Sequence, residues 1–541
     1  MFAAYSWPNR LSFFFPLRRC TVAIVKMAQL MQLWNKGRAL LFLLWGLVRL
    51  AYDVVLGLLG VPVRASNAAL HQKLLTAATY NEWKAAARVL DEEEGFQQWK
   101  EEEDSKYYNF EGVRSRIQQL SLHKRSANLD QLLAVLRTDV HRATLGVTNP
   151  GLYRYRSGTK SAVRTYVNLM AYLIKNLAGE ERIPVDKRRR VLAEIAEVYG
   201  RSALLLNGSV ALGTYHLGVV KGLRDVGLLP RVIFGANTGA LVAASICCNR
   251  EIDAVVEGTA TNFSAFAKRG ASGSFRRKWN RLRERGTLMD VTVLLQFAKD
   301  NIGELTFLEA YRKTGRILSI HVGRYLGKTH GRNSLLLNYL TTPHVLVYTA
   351  AVASCATVYL YDEAQLLAKT TCGEIVPFDP PAYGFTPHSA HDGFHINDAV
   401  QRLRELFNVK VFIVSECSVS RLPFISLSHR TSLLPRLTNF FTEEFWRQLA
   451  LLARTFWPRT RLTSVLQTIH KPIMGDIVVY PASSWADLLK ILRNPDKTFV
   501  DYCISRGQLQ LWPRIEQIRS HLAVELAVYD ALDEIDELHS A

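Results

Sequence analysis

The sequence predicts an α/β fold, and three observations carry that prediction. Two apolar runs, residues 203–206 and 232–234, each end in a glycine-bearing turn and pass into an Ala/Leu/Val-rich helical pattern, so residues 203–248 read as strand, turn and helix twice over. Further apolar runs at 317–322, 334–339 and 409–414 supply more strands, the last following a helical pattern at 397–407. The chain has 541 residues, 48% of them apolar, enough for two or more domains with well-buried cores.

Residues 1–52 contain no acid, and their Arg and Lys residues alternate with clusters such as Phe13, Phe14 and Phe15. The apolar stretch 39–63 is long enough to cross a bilayer at about 20 residues per span, but Arg49 and Asp53 interrupt it. These two stand at i, i+4 on a helix, where pairing lowers the cost of burial. A monotopic hairpin or interfacial helix over residues 1–70 is therefore expected, on a membrane or on the monolayer of a lipid droplet. A mitochondrial presequence is the weaker reading, since no cleavage signal is clear.

From 75 to 199 the pattern is helical and charged, with helices expected over 81–94, 120–141 and 160–177, an acidic turn at 99–104, and a break at Thr148–Asn149–Pro150–Gly151. The α/β part occupies 200–420. Within it, 263–285 is polar and basic with Gly270 and Gly273 and reads as a surface loop or lid, and 344–355 reads as a buried helix or strand. Residues 421–541 are expected to be mainly helical, with a short strand at 477–479.

A formal charge of +19 suits a nucleic acid or an anionic membrane. No zinc-finger spacing, RNP-type motif or basic block interleaved with aromatics is present, so a membrane surface is expected and a nucleic-acid partner is not. Seven dispersed cysteines without C-x-x-C imply neither a disulfide framework nor a zinc site and point to a cytosol-facing location.

The candidate site lies at the second turn. In a nucleophile elbow, G-x-S-x-G, flanking glycines let a strained backbone present a serine above a helix N-terminus. Here the turn is Gly235–Ala236–Asn237–Thr238–Gly239. The glycines are kept and asparagine replaces the serine. A carboxamide is a poor nucleophile, because its nitrogen lone pair is delocalised into the carbonyl. Two neighbours, Ser209 and Thr238, are the candidates for a displaced nucleophile. His388, His391 and His395 surround Asp392, but their spacing follows no metal-binding helix pattern, so no metal and no cofactor are expected.

Several stretches together resemble the patatin-like lipid acyl hydrolases, and within them the eukaryotic triacylglycerol lipases associated with lipid droplets. YNEWKAAARVLDEEEGFQQWK and LLAVLRTDVHRATLGVTNPGLY look like the helical domain that precedes the patatin domain in that branch. LLLNGSVALGTYHLGVVKGL resembles its oxyanion segment, LTFLEAYRKTGRILSI and LLLNYLTTPHVLVYTAAVASC its central segments, and HDGFHINDAVQRLRELFNVKVFIVSE its aspartate segment. The resemblance implies a three-layer α/β/α domain, a Ser-Asp dyad and a Gly-rich oxyanion loop acting on neutral lipid or phospholipid esters. It assigns the nucleophile position to Asn237 and the base to Asp392, with Phe394 where a small residue is usual. It assigns the oxyanion loop to Gly208, Ser209, Val210 and Gly213, with Ser209 in place of a glycine. The expectation is a member whose active site has degenerated into a binding or regulatory surface, with Asn237 donating its amide to Asp392. An active family relative is a candidate partner, and an active hydrolase using Ser209 or Thr238 with Asp392 is the alternative.

Overall fold

A computed structural model describes residues 68–125, 129–142, 144–208, 210–262, 280–284, 287–326, 332–356, 361–362, 364–378, 396–417, 475–480 and 495–540, together with Gln448 and Asp487. The chain divides into two compact units. One, 1–62 with 427–471, lies outside the described residues except for Gln448, as does the apolar segment 39–63. The other comprises 63–426 and 472–541 and holds the elements described below.

Among the described residues, seven helices come first: α1 (Ala68–Thr76), α2 (Tyr80–Glu93), α3 (Phe96–Glu101), α4 (Phe110–Arg125), α5 (Leu129–Asp139), α6 (Ser161–Ala178) and α7 (Val185–Tyr199). The stretch expected as an acidic turn is partly helical in α3, and the helical pattern over 120–141 falls in α4 and α5. Thr79 starts α2 by accepting from the Glu82 amide, satisfying one of the orphan donors of a helix N-terminus.

A mixed sheet follows, built from β1 (Arg201–Gly208), β2 (Val232–Asn237), β3 (Ile317–Leu326), β4 (Arg332–Asn338), β7 (Val409–Cys417) and β8 (Ile477–Val479). Its order is β4-β3-β2-β1-β7-β8, with β3 and β4 antiparallel and the other pairs parallel. Two short strands, β5 (Leu367–Lys369) and β6 (Ile375–Pro377), form a separate hairpin. The connecting helices are α8 (Tyr215–Asp225), α9 (Thr238–Cys248), α10 (Ile252–Asn262), α11 (Val291–Ile302), α12 (Phe307–Thr314), α13 (Val347–Cys355) and α14 (Ile396–Phe407). The ambiguous run at 344–355 resolves as α13, every residue of which is buried.

Alternation along β1 divides the core. Leu204 and Leu206 face a cluster that includes α8, α9, α13 and α15 (Lys497–Leu511), whereas Ala203 and Leu205 face Phe234 and the Leu403 and Phe407 side chains of α14. The sheet is thus packed on both faces, which is why its central strands read as continuous apolar runs. The last helix, α16 (Ile515–Ser540), joins two cores: Ile515, Ile518 and Leu522 belong to the sheet side, and Val524, Val528 and Ile535 pack with Val163, Ile174 and Leu192 of the first helices. No helix among the described residues is long and apolar enough to cross a membrane.

One buried guanidinium ties these parts together. Arg142 Nε donates to Tyr199 O at 2.9 Å, Nη1 to Ser202 Oγ at 3.0 Å and His521 O at 2.9 Å, and Nη2 to Gly200 O at 2.8 Å and to Glu525. Glu525 also accepts from the Ser202 amide at 2.9 Å. Removing one partner of such a pair strands a buried charge, at a cost of about 3–5 kcal/mol. Arg142→Ala is therefore expected to lower the urea midpoint by that equivalent, and Arg142→Met combined with Glu525→Leu to recover part of it. A wild-type midpoint for the single variant would mean that the guanidinium locks nothing.

Candidate functional site

The carboxyl ends of β1, β2 and β7 lie side by side, with Gly208 paired to Asn237 and Asn207 to Glu416. In open α/β sheets the strand ends are where ligands enter. Strand β2 stops at Asn237, and α9 starts at Thr238 with no intervening loop. That reversal puts Asn237 at φ 54°, ψ −132°, a region costing about 1–3 kcal/mol for a residue with a side chain.

The packing shows why the turn is framed by glycines. A Cβ on Gly239 would lie 2.1 Å from the Leu206 carbonyl oxygen, so α9 rests directly on the backbone of β1. A Cβ on Gly235 would lie 2.5 Å from Ala240 Cα, across the inside of the turn. Both contacts are with backbone, which cannot step aside.

The strained residue is held by its neighbours. Its amide donates to Ser354 Oγ at 3.0 Å, and Ser354 in turn donates to His321 O at 2.6 Å. The Cys355 thiol donates to the Asn237 carbonyl at 3.0 Å. Burial drives the Cys355 pKa well above the ordinary thiol value, so it remains a protonated donor. The C-terminal turn of α13 thereby clamps both backbone groups of Asn237.

The side chain is engaged as well. Asn237 Nδ2 donates to Asn207 Oδ1 at 3.2 Å, and Asn207 Nδ2 donates to both Glu416 carboxylate oxygens at 2.9 and 3.0 Å. Asp392, the acceptor expected from the sequence, lies outside the described residues, as do Ser209, His388, His391, His395 and Phe394. The lid expected at 263–285 is also largely outside them.

Of the remaining loop residues, Gly208 closes β1, and Val210 and Gly213 fall in a 3-10 turn, Val210–Thr214. Thr238 is 7% exposed, and its side chain packs on Gly213, where an added Cβ would lie 2.5 Å from Thr238 Cγ2. That contact turns the Thr238 side chain onto the 3-10 turn. Beneath Gly208 sits His216, fully buried, whose Nδ1 shares a 2.8 Å hydrogen bond with Ser415 Oγ.

Asn207, Glu416, Ser354 and Cys355 were not singled out by sequence reasoning. A signal was present for the first two: each is the polar residue closing an otherwise apolar run, LLLN and VFIVSE. No group of three or more His, Cys, Asp or Glu residues among the described ones could hold a metal ion.

Residues 204–393 match the patatin-like phospholipase family, and 61–197 match a domain of unknown function, DUF3336. The chain is 30% identical over 467 residues to triacylglycerol lipase ptl3 of Schizosaccharomyces pombe, covering 84% of this chain and 94% of that protein. It is 27% identical over 482 residues to triacylglycerol lipase SDP1L of Arabidopsis thaliana and 28% identical over 483 residues to triacylglycerol lipase 4 of Saccharomyces cerevisiae. Each of those alignments takes in 85% of this chain but only 58% and 52% of the longer relatives.

Two outcomes follow from the packing. Gly239→Ala must push α9 off β1 and is expected to cost at least about 3 kcal/mol of stability by urea unfolding, at the upper end for overpacking; an unchanged midpoint would contradict the close approach. The second concerns pH. Burial lowers His216 to about 3 and His321 and His521 to about 4, from an ordinary value of 6.5. These rings stay neutral in the fold while the unfolded chain takes up protons below 6.5, so their contribution is complete above 6.5 and is lost as pH falls toward 3–4. Stability measured across that window should decline with acidification, and His216→Gln should flatten the slope by up to about 1.4 kcal/mol per pH unit.

Proposed function

The chain belongs to the patatin-like phospholipase family, in the branch whose members are named triacylglycerol lipases, and on that premise we propose that it is a catalytically degenerate member that binds acyl lipid rather than hydrolysing it. The observation that carries this reading is Asn237, seated at the strained strand-to-helix junction with its carboxamide bonded to Asn207.

A serine in that place would attack the ester carbonyl and pass its proton to a carboxylate. A carboxamide can do neither. Loss of the nucleophile from a serine hydrolase costs about 10^6 in turnover, near 8 kcal/mol of barrier, more than the surrounding groups supply. Asn237 and Asp392 are then residues of a substrate-shaped site, and Gly208, Ser209, Val210 and Gly213 form the loop beside it. The packing of Thr238 on Gly213 argues against Thr238 as a displaced nucleophile, which leaves Ser209 with Asp392 as the alternative.

The bound class is a neutral lipid or phospholipid, reached from a membrane or lipid-droplet surface facing the cytosol. What supports the surface is where the charge lies in the sequence: residues 1–67 carry eight Lys or Arg against one acid, and 418–474 carry eight against two. Such stretches, interleaved with Phe and Trp, suit an anionic lipid interface.

The test is hydrolysis of triacylglycerol and phospholipid by the wild type and Asn237→Ser side by side, with Asp392→Ala in each as control. A silent wild type and an active Asn237→Ser are expected. Wild-type hydrolysis abolished by Asp392→Ala would overturn the proposal, and phosphonate labelling at Ser209 would then identify the nucleophile.

A further inference from the structure

Three polar side chains form one hydrogen-bonded line across adjacent strands: Glu416 on β7, Asn207 on β1 and, one register position further along, Asn237 on β2. Asn207 is the hinge of that line. Its Nδ2 reaches both oxygens of Glu416, and its Oδ1 accepts from Asn237 Nδ2. Turning the Asn207 amide over would set a carbonyl oxygen against a carboxylate, so the carboxylate fixes which end faces residue 237. Glu416 is only 2% exposed, and both of its oxygens accept from Asn207 Nδ2, the acceptor-only pattern of an ionised carboxylate, whose charge water screens little at such a depth.

We propose that Glu416 and Asn207 are positioning residues for the side chain at 237: the buried carboxylate locks Asn207, which holds a fixed hydrogen-bond acceptor against that side chain. The inference deepens the reading of the same site and rests on position 237 facing it, but not on whether the protein hydrolyses anything. Two consequences follow from the chemistry. Any proton-bearing group at 237 shares its proton with Asn207 Oδ1, in competition with any other acceptor. A negative charge forming at 237 is opposed by the Glu416 carboxylate conveyed through a polarised amide. The site is thereby set to keep a neutral group at 237, which a carboxamide satisfies and an activated nucleophile does not.

A thiol reports both effects. In Asn237→Cys, the rate of alkylation by iodoacetamide is followed against pH by mass spectrometry of the peptide carrying residue 237, with exposed Cys372 as the internal reference. The midpoint for the introduced thiol is expected above the ordinary value of about 8.5. Glu416→Gln keeps an acceptor for Asn207 while removing the charge, and should lower that midpoint by about one pH unit. In an Asn207→Leu background the same Glu416→Gln shift should shrink to less than half, as a double-mutant cycle for a relayed effect requires.

An unchanged midpoint in Glu416→Gln overturns the proposal. An undiminished shift in the Asn207→Leu background overturns the role of Asn207, because the charge then acts across space. A thiol at 237 that stays unreactive at every pH in folded protein also overturns it, by removing the position from the accessible site. Should a variant fail to fold, thermal unfolding of Glu416→Gln, Asn207→Leu and their combination in the otherwise wild-type chain decides instead: strictly additive losses count against the lock, and a double loss no larger than the greater single loss supports it. Since alkylation needs no hydrolysis, a hydrolytic wild type sinks the function proposed above and leaves this inference standing.

Discussion

Taking a guanidinium out of water is costly unless all five of its N-H groups find acceptors, and Arg142 finds five: three main-chain carbonyls, the Ser202 hydroxyl and the Glu525 carboxylate. The acceptors come from the end of α7, the start of β1 and the last helix. Those are the segments that must meet for the first helices to sit on the sheet. The Arg142 guanidinium also lies 4.3 Å from the centre of the Tyr199 ring, so the same cation fixes an aromatic in the helical core. Because β1 is the central strand and the site hangs from its far end, the register of the site inherits the register set here.

At that far end the governing constraint is steric. Helix α9 approaches β1 so closely that Gly239 rests on the Leu206 carbonyl, and the chain can make this approach only by reversing within one residue. Residue 237 sits at that reversal, with φ 54°. At ψ −132° residue 237 lies outside the left-handed helical well that asparagine visits most readily, so the strain is met by contacts from elsewhere in the fold. The Asn237 carboxamide bonds across to Asn207 on the neighbouring strand. The strand-to-helix reversal that presents a serine in a nucleophile elbow is thus taken up here with an asparagine.

The frame was legible in the sequence and the wiring was not. Glycines 235 and 239 and the paired strand-turn-helix pattern could be read because they are local: turn sterics and apolar alternation act over a few residues. The helical spacing over 120–141 was legible too, in α4 and α5, although apolar periodicity does not fix where each begins and ends. Asn207 and Glu416 meet across 209 positions, and Arg142 and Glu525 across 383, so no window of sequence brings them together. Glu525 reads there as one more acid on an amphipathic helix. Only the closing of α16 against β1 makes it the partner of a buried cation.

Strain at residue 237 also bears on what the site is for. A turn with no remaining task has easy ways to relax: a glycine at 237 removes the penalty, and loss of Ser354 or Cys355 frees the backbone. Instead the amide is bonded to Ser354, the carbonyl to Cys355 and the side chain to Asn207, so all three handles of the residue are held. These contacts come from α13 and from β1, on opposite flanks of β2. Holding a non-glycine residue at positive φ from two sides costs stability and has a structural return only if the side chain must point one way. On the function proposed above, that direction puts a fixed hydrogen-bonding carboxamide where a serine would stand in a nucleophile elbow, and Asn207, bonded to Glu416, is the neighbour that meets it.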